Sequence, residues 1–267
     1  MELRQKTRSE YRKVRLVQTN PPETTTFGKG INALLDSPYA RYLDLETLFD
    51  IQIAERGSLP LHHPEEVLFR SVHLSSELWL RLAGYELERT RAAVEVGAIL
   101  PAVRLARRAA ESVERVTENT GMLESMPAAD YHVYRVHFGE ASGLQSPGYA
   151  FVRQQCKELA GALDRLIGDD DALFALYTGQ RDDPRYDLCQ ALLDLDAALD
   201  RFRSLHIQIA RRFLGDMTAG TGGSQGVEYL RRNLGQQHFP RLWEVGDRIA
   251  SSAGAVPYGY GNKRDDG

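Results

Sequence analysis

Residues 202–234 read FRSLHIQIARRFLGDMTAGTGGSQGVEYLRRNL: a helix-forming run, a loop rich in glycine and threonine, and a second helical start. Counting back from the loop, Leu188, Leu192, Leu195, Leu199, Phe202, His206, Ile209 and Phe213 recur in alternating steps of four and three. That spacing is the apolar stripe of a long amphipathic helix, and His206 stands where another leucine belongs.

A neutral imidazole replaces leucine in a core only if its nitrogens find partners, because an unpaired buried polar group costs roughly 1–3 kcal/mol. Two readings of His206 follow. It is a core histidine bonded to a buried neighbour, or it is an axial ligand to heme iron, which needs a neutral imidazole in an apolar slot between helices. The loop Gly220-Thr221-Gly222-Gly223-Ser224-Gln225-Gly226 is too rich in glycine to be helical. Its backbone amides can approach a ligand closely, and Ser224 can cap the helix opened by Val227-Glu228-Tyr229-Leu230. A loop before a helix N-terminus suits an anionic group such as a carboxylate or propionate. It lacks the Gly-Lys-Ser/Thr ending of a phosphate loop, and a helix rather than a strand precedes it, which excludes the dinucleotide fingerprint.

The chain has 267 residues, enough for one large core or two small ones, with 42% hydrophobic and 26% charged residues. A net charge of -4 and the lack of a basic run interleaved with aromatics argue against nucleic-acid binding. No apolar run approaches the roughly 20 residues that cross a bilayer, and MELRQKTRSEYRKVR has no apolar signal core, so a cytoplasmic protein off the membrane is expected. Cys156 and Cys189 are far apart and outside any Cys-x-x-Cys pair, as buried thiols of a reducing compartment would be.

Residues 1–26 are polar, basic and then rich in Thr and Pro, which predicts a flexible tail; residues 27–267 are expected to form a single helical domain. In SPYARYLDLETLFDIQ, from Ser37, a serine cap and Pro38 open a helix carrying Tyr39, Tyr42 and Leu43. After the break at Pro60 to Pro64, Glu65 starts a long helix with two stripes. Leu68, Val72, Ser75, Trp79 and Leu82 form one, ending where Glu86 takes the next position. Phe69, His73, Ser76, Leu80, Ala83 and Leu87 form the other, so His73 faces inward from a different helix than His206. Two inward histidines on different helices can approach opposite faces of one cofactor. Residues 98–121 predict an amphipathic helix, and residues 146–178 a long helix broken at Gly168-Asp169 and a short one. No strand alternation or repeat appears, and the expected fold class is all-α.

These blocks together resemble the tryptophan 2,3-dioxygenase superfamily. There a long helix carries the proximal heme histidine and a GTGGS-x-G-x-x-YLR loop follows it. The family's Phe-x-x-x-His-x-x-Tyr-Glu-Leu-Trp-Phe is matched by Phe69, His73, Glu77, Leu78 and Trp79; its tyrosine is Ser76 here and its last phenylalanine Leu80. Its Thr-Pro-x-x-[Tyr/Phe]-x-x-Phe-Arg and Leu-Gly-x-x-Ser-Gly-Phe-Gln-Ser are similar to the text from Met126 to Arg135 and from Phe138 to Ser146, and Phe239-Pro240-Arg241-Leu242-Trp243 resembles its closing segment. The resemblance spans roughly residues 35–250 in five ordered blocks.

It implies a helix bundle holding heme b, with His206 as the iron's axial ligand and Gly222 and Ser142 beside the cofactor. His73 would be the distal residue that orients the indole N–H, and Phe69 would pack on the indole. Arg135 would fork onto the substrate carboxylate, which only a guanidinium meets with two parallel donors. Thr221 would share the carboxylate and ammonium, and Tyr131 and Ser76 would line the substrate. In a homotetramer, Tyr39, Tyr42 and Leu43 would cover the indole of a neighbouring subunit's substrate. The expected partners are an indole amino acid and O2.

The substituted wall at Leu74, Ser75 and Ser76 tips the expectation toward one-oxygen insertion on tryptophan or a β-substituted tryptophan, giving a 2-oxindole; the alternative is ring opening to N-formylkynurenine. A heme protein that only senses or stores a ligand would have no use for Arg135, and a cofactor-free scaffold would show no Soret absorption.

Overall fold

The computed structural model describes residues 35–53, 61–215 and 227–254, and all regular structure among them is helical. The expected tail at 1–26 lies outside these residues. Helix α1 (Pro38–Leu43) starts as its sequence predicts: the Ser37 hydroxyl accepts from the Ala40 amide at 3.0 Å, and Pro38 fills the first turn. Helix α2 (Leu45–Ile53) follows. Four long helices then carry the mass of the protein: α3 (Glu65–Glu95), α4 (Ile99–Gly121), α6 (Pro147–Ile167) and α8 (Pro184–Leu214). Shorter ones lie between or after them: α5 (Ala128–Tyr134), α7 (Asp170–Gly179), α9 (Val227–Arg231) and α10 (Pro240–Ser252).

The predicted break at Gly168-Asp169 is real. Gly168 ends α6 at φ +88°, a conformation that costs a side chain energy, and Asp169 caps α7 through the Ala172 amide at 2.9 Å.

Helix α3 packs closely on α4 and α6, and α4 on α8, whereas among the described residues α8 stands farther from α3 and α6. The α3–α6 contact is tight because glycine permits it: a Cβ on Gly84 would lie 2.2 Å from the Phe151 ring. This arrangement leaves two cores rather than one. The larger joins Leu80, Ala83 and Leu87 of α3 to Val113 of α4, Leu159 of α6 and Leu188, Leu192, Leu195 and Leu199 of α8. The smaller is rich in aromatics and gathers Val72, Met126, Tyr131, Tyr134, Ile209 and Phe213, with Phe69 and Phe138 packed against it. Burying apolar surface stabilises each at about 25 cal/mol per Å².

The stripes of α3 need one correction. Trp79 is 38% exposed, and Glu86, where the first stripe was expected to end, is 2% exposed. Arg89 and Arg108 reach Glu86 from α3 and α4 at 3.2 and 3.1 Å, so its charge is compensated where it is buried. Both cysteines are free and buried, and burial pushes the Cys189 thiol up to about 12. No helix among the described residues is long and apolar enough to cross a membrane.

Candidate active site

The two cores meet at a seam, and both histidines lie on it. On α3, His73 falls between Phe69 and Val72 of the smaller core and Leu80 of the larger. On α8, His206 falls between Phe202, packed on the larger core, and Ile209 of the smaller. Each ring keeps open surface, His73 more than His206, yet each is surrounded by enough protein that burial is the main influence on its charge. The inward placement expected of His73 needs correcting: the residue is exposed on α3, with its ring packed against Phe69 and bonded to its own helix.

Both rings are held neutral. Burial lowers the pKa of His73, opposed by its bond to the Phe69 carbonyl and by the Glu77 charge. Burial, and then the nearby His73, lower that of His206 to about 4. The His206 ring stacks on Phe202, 5.8 Å between centroids and 5° between planes, and neither ring nitrogen forms a hydrogen bond among the described residues. A metal ligand must leave one lone pair unused, and among the described residues this ring does. His73 Nδ1 lies 2.7 Å from the Phe69 carbonyl oxygen, which only accepts. The proton therefore sits on Nδ1, and Nε2 presents a lone pair.

Around His73 the aromatics form a wall. Phe69 lies 4.0 Å from the His73 ring, stacks on Phe138 at 5.1 Å and meets Tyr131 at 6.0 Å. Tyr131 stacks in turn on Phe213 of α8 at 4.9 Å, which joins α5 to the helix of His206. Arg135 follows α5 in a single 3₁₀ turn, half-buried, with its guanidinium over the Tyr131 ring at 5.8 Å. His132 serves structure: its Nε2–H donates to the Phe213 carbonyl at 2.8 Å.

The structure thus brings Phe69, His73, Tyr131 and Arg135 to one wall. Ser76, one turn along α3, has a buried hydroxyl without a partner among the described residues. Ser142 caps a 3₁₀ turn by accepting from the Leu144 amide at 3.3 Å, with Gln145 completing a capping box. Tyr39, Tyr42 and Leu43 are not brought to the wall by their own chain and are 69%, 86% and 44% exposed. Thr221 and Gly222 lie outside the described residues.

Sequence reasoning named Glu77 without a role. Its carboxylate accepts from the Ser146 hydroxyl and, at 2.9 Å, from the Gly148 amide, clamping α6 to α3 one turn from His73. Phe138 was likewise given no role; its spacing shows an aromatic but not which ring it meets.

An all-helical protein with a neutral histidine that makes no hydrogen bond among the described residues, and a second neutral histidine near it, has the donor a histidine-ligated heme protein needs. The donor set fits heme: His206 can give the axial lone pair, and the seam is apolar. The chain belongs to the tryptophan 2,3-dioxygenase family, whose model matches residues 28–160 and 168–248. Among similar proteins, the tryptophan 2,3-dioxygenase of Bradyrhizobium sp. (strain ORS 278) is 29% identical over 277 residues, covering 84% of this chain and 97% of that one. That of Shewanella woodyi is 28% identical, covering 79% and 90%, and that of Bacillus thuringiensis subsp. konkukian is 24% identical, covering 79% and 92%. Membership makes the chain a heme-dependent oxygenase of a tryptophan-type substrate, with heme b as its iron cofactor.

Proposed function

We propose that this enzyme opens the indole ring of L-tryptophan to N-formylkynurenine. In that reaction the C2–C3 bond breaks and both atoms of O2 enter the product, one as the formamide carbonyl at C2 and one as the ketone at C3. When bound, heme supplies the iron at which O2 is held and activated. The observation that carries the reading is the pair of neutral histidines on one seam, His206 without a hydrogen bond among the described residues and His73 with its Nδ1 proton committed to Phe69.

His206 ligates the iron. His73 Nε2 would accept the indole N–H and so fix the orientation of the ring, while Phe69 would pack on the indole. Arg135 forks onto the carboxylate, with Thr221 sharing the carboxylate and ammonium. Tyr131 backs the arginine. Ser142 and Gly222 stand beside the cofactor. The exposure of Tyr39, Tyr42 and Leu43 supports their use across a subunit boundary in a homotetramer, where each would cover a neighbour's substrate. No protein nucleophile is needed.

The one-oxygen outcome, a 2-oxindole from a β-substituted tryptophan, stands second, because the relatives' names favour ring opening. Ser76 keeps it in view: the family's tyrosine is missing, and the hydroxyl in its place is buried and has no partner among the described residues. Mass spectrometry of the product formed under labelled O2 tests both. Two labelled oxygens in an opened ring are expected; one, with the ring closed, overturns ring opening in favour of the second reading.

A further inference from the structure

Next to the His206 stripe, one face of α8 carries Asp196, Asp200 and Arg203 in steps of four and three, so all three point the same way. All three grip the segment that returns after α9. Asp196 accepts from the amides of His238 (2.9 Å) and Phe239 (3.0 Å) and from the Trp243 indole N–H (3.1 Å). Asp200 accepts from the Gly235 amide at 2.9 Å. Arg203 is 6% exposed and spends its donors in three directions: Nε to the Tyr149 hydroxyl of α6 (3.0 Å), Nη1 to the Gln236 carbonyl (2.8 Å) and Nη2 to His238 Nε2 (3.0 Å).

The contacts continue to the iron ligand. Tyr149 lies 6.0 Å from the Phe202 ring, and Phe202 is the ring on which His206 stacks. Arg203 is also one turn from His206 on the same helix. Helix α8 packs closely on α4 but approaches α3 and α6 less, so a tie on the α6 side helps fix its rotation, and a rotation would turn His206 out of the seam. A buried guanidinium with fixed, divergent donors supplies that tie; an ammonium, with a single point of charge, could not.

We propose that Arg203 is a positioning residue for the heme ligand: it locks α8 to Tyr149 and to residues 236–238, and thereby fixes the Phe202–His206 stack and the aim of the imidazole. The inference rests on His206 being the iron ligand.

The test uses the full-length holoenzyme and the variants Arg203→Lys and Tyr149→Phe, with His206→Ala as the reference. Two readouts are taken: the rate at which heme passes to an excess of apomyoglobin, and the iron–histidine stretching band of the ferrous protein. Loss of a charge-assisted bond should speed heme loss by about tenfold or more in Arg203→Lys. The band should shift or broaden, and Tyr149→Phe should move both readouts less, in the same direction. A defect confined to stability would lower the melting temperature and leave the band in place. An unmoved band and heme-loss rate in Arg203→Lys overturn the proposal. Should that variant not fold, the same null result in Tyr149→Phe overturns it. Failure of the ligand reading itself is distinguishable, because His206→Ala would then keep its heme and its iron–histidine band.

Discussion

Replacing Glu77 with glutamine tests how the site's frame is held. The Glu77 carboxylate faces two donors, the Ser146 hydroxyl and the Gly148 amide. Because Ser146 gives its only hydroxyl proton to Glu77, its oxygen is left to accept from the Tyr149 amide at 3.1 Å and cap α6. The amide of Glu77→Gln presents one acceptor and one donor to these two donors. The amide oxygen can keep the Gly148 bond while its N–H donates to the Ser146 oxygen, so both contacts survive but lose the charge that strengthens them. A charged acceptor strengthens a bond by about 1 kcal/mol over a neutral one, and two bonds are affected, so a loss of about 2 kcal/mol is expected. No room exists to rearrange, since a Cβ on Gly148 would already stand 2.6 Å from Glu77 Oε2 and 2.8 Å from Leu80 Cβ. For a chain of this size about 2 kcal/mol lowers the melting temperature by roughly 4–8 °C. Scanning calorimetry of wild type and variant measures it. A melting temperature within a degree of wild type would show that the clamp contributes nothing and that α6 is seated by its apolar face alone.

Four further outcomes are expected. His206→Ala should keep its helical circular dichroism, since the stripe's other seven positions remain, but lose the Soret band; stoichiometric heme in that variant would refute the ligand assignment. Arg135→Lys should weaken tryptophan binding by roughly ten- to a hundredfold with heme content unchanged, as read by substrate titration, because one charge replaces a two-pronged donor. The apoprotein should lose stability as pH falls from about 6.5, where an unfolded histidine begins to take up a proton, to about 4, where folded His206 does. Below the first value the unfolded chain binds more protons, so stability rises with pH across this window; urea melts of wild type and His206→Leu should show a shallower slope in the variant. Ser76→Tyr should cut kcat/KM for a β-substituted tryptophan more than for tryptophan, since overfilling a packed wall costs about 1–3 kcal/mol; an unmoved ratio would remove Ser76 from the substrate wall.

What residue order determined here is local and periodic. The step of four and three places His206 on the apolar stripe of α8, and the Ser37 cap marks a helix start, because capping and amphipathicity depend on neighbours within one or two turns; the inner face it gave His73 is not kept, since that residue is exposed. The loop motif and the text around Arg135 carried the family, since glycines and a guanidinium are demanded by chemistry that few other residues can perform. Only the tertiary structure decided what those residues face. Periodicity made Glu86 the end of a stripe; the fold buries it, because Arg108 arrives from another helix. Asp196, Asp200 and Arg203 lie beside the apolar row of α8, and nothing nearby in sequence announces their partners at 235–243 and Tyr149. The seam between two cores is likewise a product of how far α8 stands from α3 and α6, and that distance is set by its packing on α4, between residues as far apart in the chain as Glu114 and Arg201.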